Sequence, residues 1–400
     1  MMGFVRVAVL IGALLVGATT ALAQGGSSLP STSRGTFLKL TEVQKLWETE
    51  NYEAAIAELQ ELVERVREDA YEYALANQYL AHTRILNGDN AGARQAVEEA
   101  LSGADVPLPM QSSLNLFYGQ LLIGDEEYER AKTHLEFWFE NTEIPPMPAQ
   151  IFYLAYANYM TGDLPRARTF IERTIEEGGK PNDQWERIYY QILFEQGEYD
   201  LALDVIMGML NRVPANDGYW RLLVNHYMQR EENRDALAAL VIANLQNPMT
   251  QEADLKRMVS MYGYVEIPEK AARLLESYMA DERVTRDADT LRQLGDLWLM
   301  AREREKAKEV LQEAASVAPD GRTYQLLGGI YFEDEQWEDA YAAFLEALDQ
   351  GGLTNPPQVQ LLAGISAYRA GMTREARVAL EAASESEDIR PQAEGLLRRL

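Results

Sequence analysis

The chain has no cysteine among its 400 residues. That excludes disulfides, thiol nucleophiles and cysteine-ligated zinc. It also excludes the lipid anchor of an exported lipoprotein, which requires a cysteine directly after the signal. Histidine is nearly as scarce: His82, His134 and His226 lie far apart. No pair has metal-ligand spacing, and no H-E-x-x-H, G-x-S-x-G, phosphate-binding or dinucleotide-binding motif occurs. No catalytic residue, metal or cofactor is expected. Basic residues are outnumbered, 37 Lys and Arg against 63 Asp and Glu, for a net charge of −26. Nucleic acids and anionic membrane surfaces both require a basic footprint, so neither is an expected partner. The same charge favours solubility or a basic partner.

Long apolar runs are also missing, with one exception at the start. Met1 to Ala23 carries Arg6, an apolar run from Val7 to Val16 and then Ala21-Leu22-Ala23. This order of basic, apolar and small residues predicts a signal peptide over 1–23, cleaved before Gln24, and a periplasmic mature chain. The run is shorter than the roughly 20 apolar residues a span requires, so no membrane insertion of the mature chain is expected. Residues 24–36 are rich in Gly and Ser and read as a flexible leader outside the fold.

The rest of the chain is periodic. From Gly321, counted as position 1 of a 34-residue unit, Leu327 falls at position 7, Gly328 at 8, Tyr331 at 11, Ala340 at 20, Phe344 at 24 and Ala347 at 27. Small residues at 8 and 20 let two antiparallel helices approach, and large residues fill the space around the contact. The pattern resembles the tetratricopeptide repeat (TPR). Laying the unit along the chain gives a position-20 series of Ala55, Ala93, Ala131, Ala167, Ala202, Ala236, Ala271, Ala307, Ala340 and Ala376. Independent matches support it: Leu294, Gly295, Trp298, Leu311 and Ala314 in one unit, and Trp220, Leu223, Tyr227, Leu240 and Ala243 in another. The expected fold is all-α, a right-handed α-solenoid of about ten TPR-like helix-turn-helix repeats over 37–389, closed by a C-terminal capping helix over 390–400. In this register Ala236 and Ala340 lie where two helices touch, and Ala379 lies off that contact.

In stacked repeats of this kind, positions 2, 5, 6, 9, 12 and 13 of each first helix face a groove. Position 5 reads Arg187, Arg221, Lys256 and Arg292 in four consecutive repeats, with Gln191 and Asn225 at position 9 of the first two. The arrangement resembles the carboxylate clamp of some peptide-binding TPR domains, although Ser260 and Asp296 break the position-9 pattern. Two readings stand: a basic strip for carboxylates of a peptide, or internal pairing with acids of neighbouring helices. A second candidate is the inward stripe Phe152, Tyr156 and Tyr159, either a set of anchors for a partner or core packing. Three further runs, WERIYYQILFEQGEYDLAL from Trp185, Gly218-Tyr219-Trp220 followed by Asn225-His226-Tyr227, and ALDQGGLTNPPQVQLLAG from Ala347, together with the export signal, resemble periplasmic TPR proteins associated with TonB–ExbB–ExbD systems. That resemblance implies an accessory of TonB-dependent outer-membrane transport, acting by contact with protein partners that include components of the TonB system. An adaptor for envelope assembly or cell-wall synthesis, and a regulatory subunit of an envelope enzyme, remain open alternatives.

Overall fold

A computed structural model describes residues 29–400. The signal-peptide reading and the first residues of the leader lie outside the described residues. Among those described there are twenty-one helices and no strand. In chain order they are α1 (Arg34–Glu48), α2 (Tyr52–Arg65), α3 (Ala70–Leu86), α4 (Asn90–Leu101), α5 (Leu108–Gly124), α6 (Tyr128–Asn141), α7 (Pro148–Met160), α8 (Leu164–Gly178), α9 (Asp183–Glu195), α10 (Tyr199–Arg212), α11 (Asp217–Gln229), α12 (Asn233–Gln246), α13 (Glu252–Tyr264), α14 (Pro268–Ala280), α15 (Ala288–Met300), α16 (Arg304–Val317), α17 (Gly321–Glu333), α18 (Trp337–Gln350), α19 (Pro356–Arg369), α20 (Thr373–Ser384) and α21 (Arg390–Leu397). They form ten consecutive hairpins and one closing helix, the α-solenoid architecture of TPR repeats. Two compact units divide the chain, one ending at Met209 and one beginning at Leu210.

Each alanine of the position-20 series is the fourth residue of the second helix of its hairpin, and all ten are fully buried. The partner surface is equally regular in four hairpins. A Cβ placed on Gly119, Gly295, Gly328 or Gly364 of the first helix would come within 2.5–2.7 Å of the side chain of Leu135, Leu311, Phe344 or Leu380 on the second. Glycine at position 8 thus makes room for the large residue at position 24, and the hairpin closes around that pair. Ala379 corrects the register reading. It is buried in one cluster with Ala340, Phe344, Val359 and Ala363, because α18 of the preceding hairpin packs on this side of α20 as well.

All ten turns between paired helices share one backbone conformation. The residue five before each buried alanine has a positive φ, from 55° at Glu50 to 81° at Gly88. Its N–H bonds the carbonyl three residues back and the next N–H bonds the carbonyl five back, as in Glu231→Met228 at 3.1 Å and Glu232→Tyr227 at 2.9 Å. These bonds satisfy carbonyls left open at the end of the first helix. Glycine holds the position in four turns. Glu50, Glu126, Glu231, Glu266, Arg302 and Glu335 hold it in the other six, in a region unfavourable to residues with a Cβ.

The fold begins earlier than the predicted boundary at residue 37. Ser33 caps α1, and Thr36 is buried within it. Both are held by the buried carboxylate of Glu72 on α3, which accepts from the Thr36 hydroxyl at 2.5 Å, the Ser33 hydroxyl at 3.1 Å and the Ser33 N–H. Leader composition does not reveal this, because the anchor is a carboxylate almost forty residues away. At the other end Ala393 of α21 is buried with Leu361, Leu380, Ala383 and Ile389, and Leu396, Leu397 and Leu400 pack around them.

Candidate functional site

Side-chain hydrogen bonds between successive first helices define the face that those helices share. Within the first unit Gln44 donates to Tyr79 at 3.4 Å and Gln78 to Ser113 at 3.2 Å. Within the second, Gln293 donates to Ser260 at 3.2 Å and Arg322 to Asp296 at 3.4 Å. The residues involved occupy positions 2, 5, 6 and 9, so the predicted inward register describes one continuous face in each unit.

In the first unit much of this face is sealed. Leu116, Phe117 and Gln120 of α5 are buried although they occupy inward positions. The aromatic stripe on α7 behaves the same way. Phe152 is only 4% exposed, with the Tyr156 ring stacked at 6.0 Å and Trp185 of α9 at 6.3 Å. The reading of Phe152 as a partner anchor is therefore corrected: neighbouring rings occupy the space an anchor would offer. Tyr156 is half-buried, edge-on to Tyr128 at 6.0 Å, and burial pushes its hydroxyl up to about 12, aided by Tyr128 and Glu126. Tyr159 donates to Glu195 of α9 at 2.8 Å; burial and then that carboxylate raise its pKa. The stripe mainly ties one hairpin to the next.

The four basic residues differ from one another. In the first unit Arg187 pairs with Asp183, one turn earlier on α9, at 2.8 Å, and Gln191 is half-buried. In the second, Lys256 pairs with Glu252 at 2.7 Å, and Glu252 also accepts from Thr285 at 2.9 Å. Arg292 pairs with Asp289 on its own helix and reaches Asp320 at 2.9 Å. Asp320 caps α17, accepting from the N–H and hydroxyl of Thr323 at 3.0 and 2.5 Å. Burial alone would raise its pKa, but the Thr323 bonds and Arg292 outweigh that and lower it. Arg292 is thus a strut to the next hairpin, which realises internal pairing at that position.

Arg221 is the exception. It is exposed, and its guanidinium has no ion-pair or hydrogen-bond partner among the described residues. The acid one turn earlier, Asp217, is taken by the Asn247 amide, which lies 3.0 Å from each carboxylate oxygen. Asn225, one turn after Arg221, is exposed as well. Sequence reasoning did not single out the exposed apolar residues near the C-terminal ends of the first helices: Met228 (43%), Tyr264 (71%) and Met300 (56%). Their signal was present, since they occupy inward positions 12 and 13 of consecutive repeats.

The histidines are packing groups. His82 is buried edge-on to Trp47 at 5.2 Å, His134 bonds Asn115 at 2.6 Å beside Tyr118, and His226 is buried edge-on to Tyr227 at 5.6 Å. Among the described residues no group of three His, Asp or Glu side chains could hold a metal ion. No described helix is long and apolar enough to cross a membrane.

No protein-family description matches the sequence. No curated protein matches it either. Among solved structures, the chain is similar to a tetratricopeptide repeat protein from Parabacteroides merdae, at 17% identity over 63% of this chain and 98% of that one, with a TM-score of 0.34. It is similar to YrrB, described as a TPR protein with an unusual peptide-binding site, at 16% identity over 49% and 98% with a TM-score of 0.38. PilW, described as a widely conserved type IV pilus biogenesis factor, gives 15% over 53% and 99% with a TM-score of 0.36.

Proposed function

We propose that the chain is an exported, non-enzymatic scaffold that binds a protein or peptide partner along the inner face of its first helices. One observation carries the reading. Arg221 is a basic side chain on that face, and the acid one turn before it, Asp217, is occupied by Asn247, which leaves the guanidinium open to a carboxylate from outside. Asn225 beside it supplies an amide for a peptide backbone. Lys256 and Arg187 hold their own acids on half-exposed surface, where an incoming carboxylate competes at little cost.

The setting we favour is an accessory role in TonB-dependent transport in the periplasm. It is supported by the three sequence runs and by the order of basic, apolar and small residues in 1–23. Binding to an envelope-assembly or cell-wall partner, or to an envelope enzyme as its regulatory subunit, would use the same face. The test of the site is fluorescence anisotropy with an acidic peptide ending in a free carboxylate. The native chain should bind it, more weakly as salt rises, and Arg221→Glu combined with Lys256→Glu should lose it with melting temperature nearly unchanged. Full binding by that variant would remove the face from consideration. The setting is tested by in-cell crosslinking from position 225: recovery of envelope-assembly proteins in place of TonB-system components would favour the second reading.

A further inference from the structure

Across hairpins six to eight the inner face is banded rather than uniformly basic. On α11, Arg221 and Met228 are seven residues apart; on α13, Arg257 and Tyr264 have the same spacing, as do Gln293 and Met300 on α15. Seven residues are two turns, so each pair shares one azimuth on its helix with about 10.5 Å between its members. A lane of polar and cationic groups therefore runs beside a lane of exposed Met, Tyr and Met. Beyond the apolar lane come the turns. Tyr264 lines one shallow hollow with four acids, Glu231, Glu232, Asp235 and Glu266, and one cation, Arg234; the carboxylates of Glu231 and Glu266 have no ion-pair partner among the described residues. In hairpins six and seven the order across the face is cationic, apolar, acidic; in hairpin eight Gln293 and Arg302 hold the outer positions.

We propose, resting on the inner-face reading above, that hairpins six to eight form a three-lane dock for an amphipathic α-helix of a partner protein, acidic on one flank and basic on the other. Charge complementarity sets the flanks: the acidic flank lies over Arg221 and over Arg257, whose exposed 3.3 Å pair with Asp254 it competes for, and the basic flank over Glu231 and Glu266. Dimensions select the helix. An α-helix with its side chains is about 10–12 Å across, close to the 10.5 Å between the cationic lane and the apolar one, and the acidic residues follow the apolar lane directly in the turns, so it seats its apolar stripe while both flanks reach charge. Neighbouring first helices lie about 8–10 Å apart, close to the 10.5 Å that separates residues seven apart on a helix. Apolar residues at i, i+7 and i+14 thus meet Met228, Tyr264 and Met300 in turn. An extended strand repeats its side chains every 6.6–6.8 Å or so on one side and falls out of step with the hairpins. The two flanks also fix which way the bound helix runs.

The probe is a synthetic 21-residue peptide with leucine along one stripe, glutamate on one flank and lysine on the other, titrated into the full chain by fluorescence anisotropy and circular dichroism. Binding with a gain of helicity is expected. A central proline, or the same flank charge on both sides, should weaken it about tenfold or more. Tyr264→Ser with Met300→Ser should have a similar effect and leave the melting temperature unchanged, since both side chains are exposed. Failure of the probe to bind, equal binding of the proline peptide, or indifference to the double substitution would overturn the proposal. Loss of the acidic peptide in the Arg221 and Lys256 variant alongside an unaffected Tyr264 and Met300 variant would leave the inner-face reading intact and remove only the helical dock. Self-association abolished by Tyr264→Ser would identify a second copy as the occupant and equally overturn it.

Discussion

Gly321 opens α17 directly against the carbonyl oxygen of Gly351 at the end of α18, and a methyl group on Gly321 would overlap that oxygen. The obstacle is backbone, so a rotamer change cannot relieve it. Gly321→Ala should destabilise by about 1–3 kcal/mol or more, the range of overpacked contacts. Gly329, eight residues on in the same helix, has nothing within 4 Å of a built Cβ. Gly329→Ala should stabilise by about 0.5–1 kcal/mol through helix propensity. Melting temperatures that move in the same direction would reject this account of α17.

Overpacking should distinguish two nearby alanines. Ala340 is fully buried at the hairpin contact, whereas Ala342 is exposed on the same helix. Ala340→Leu should cost about 1–3 kcal/mol and Ala342→Leu about 0.5 kcal/mol or less in urea unfolding. Equal effects would show that Ala340 does not set the contact.

The turn residues offer the opposite change. Glu231 and Glu266 have φ of 62° and 64°. Replacement by glycine removes the Cβ from a left-handed position, a relief of about 1 kcal/mol, partly offset by the freer unfolded chain. Glu231→Gly should raise the melting temperature, and Glu231→Ala should not. A fall with glycine would mean that the side chain contributes more than its conformation costs.

Acid should weaken the first unit before the carboxylates there are protonated. Burial lowers the pKa of His82, and burial with the nearby Arg130 lowers that of His134 against the opposing pull of Glu98. The unfolded chain then binds protons first, so stability falls as pH drops below about 6.5. Glu72 acts in a lower window. Burial would raise its pKa, but the bonds from Thr36 and Ser33 lower it overall, so its contribution is complete above the usual carboxylate range and is lost as pH falls through the depressed value. Urea midpoints at pH 7.5 and 5.5 should differ less in His82→Asn with His134→Gln than in the native chain. An undiminished difference would place the acid sensitivity elsewhere.

The repeat was legible because its signal is steric and local: a small residue at 20 and a large one at 24 recur whatever surrounds them. Six of the ten turns were hidden, since the usual sequence mark of a left-handed residue is glycine and these turns carry Glu or Arg. Phe152 shows a different limit. Its position in the repeat faces inward, but whether inward means exposed depends on Trp185 and Tyr156 closing over it. Arg187 and Arg221 were equivalent by position and each has an acid one turn before it. They part because Asn247, thirty residues beyond Asp217, takes that second acid. Side-chain competition at that range has no periodic signature.

Six side-chain-bearing residues in a backbone geometry suited to glycine leave the chain with unused headroom. Each such turn can be eased by a single codon change without touching a packed surface, because the residue projects from the end of a helix rather than into the contact between helices. Loss of stability through drift on the inner face, where new recognition would have to evolve, could thus be compensated at Glu50, Glu126 and Glu335, which lie outside hairpins six to eight. Adaptation of the inner face and upkeep of the scaffold would then proceed through different residues.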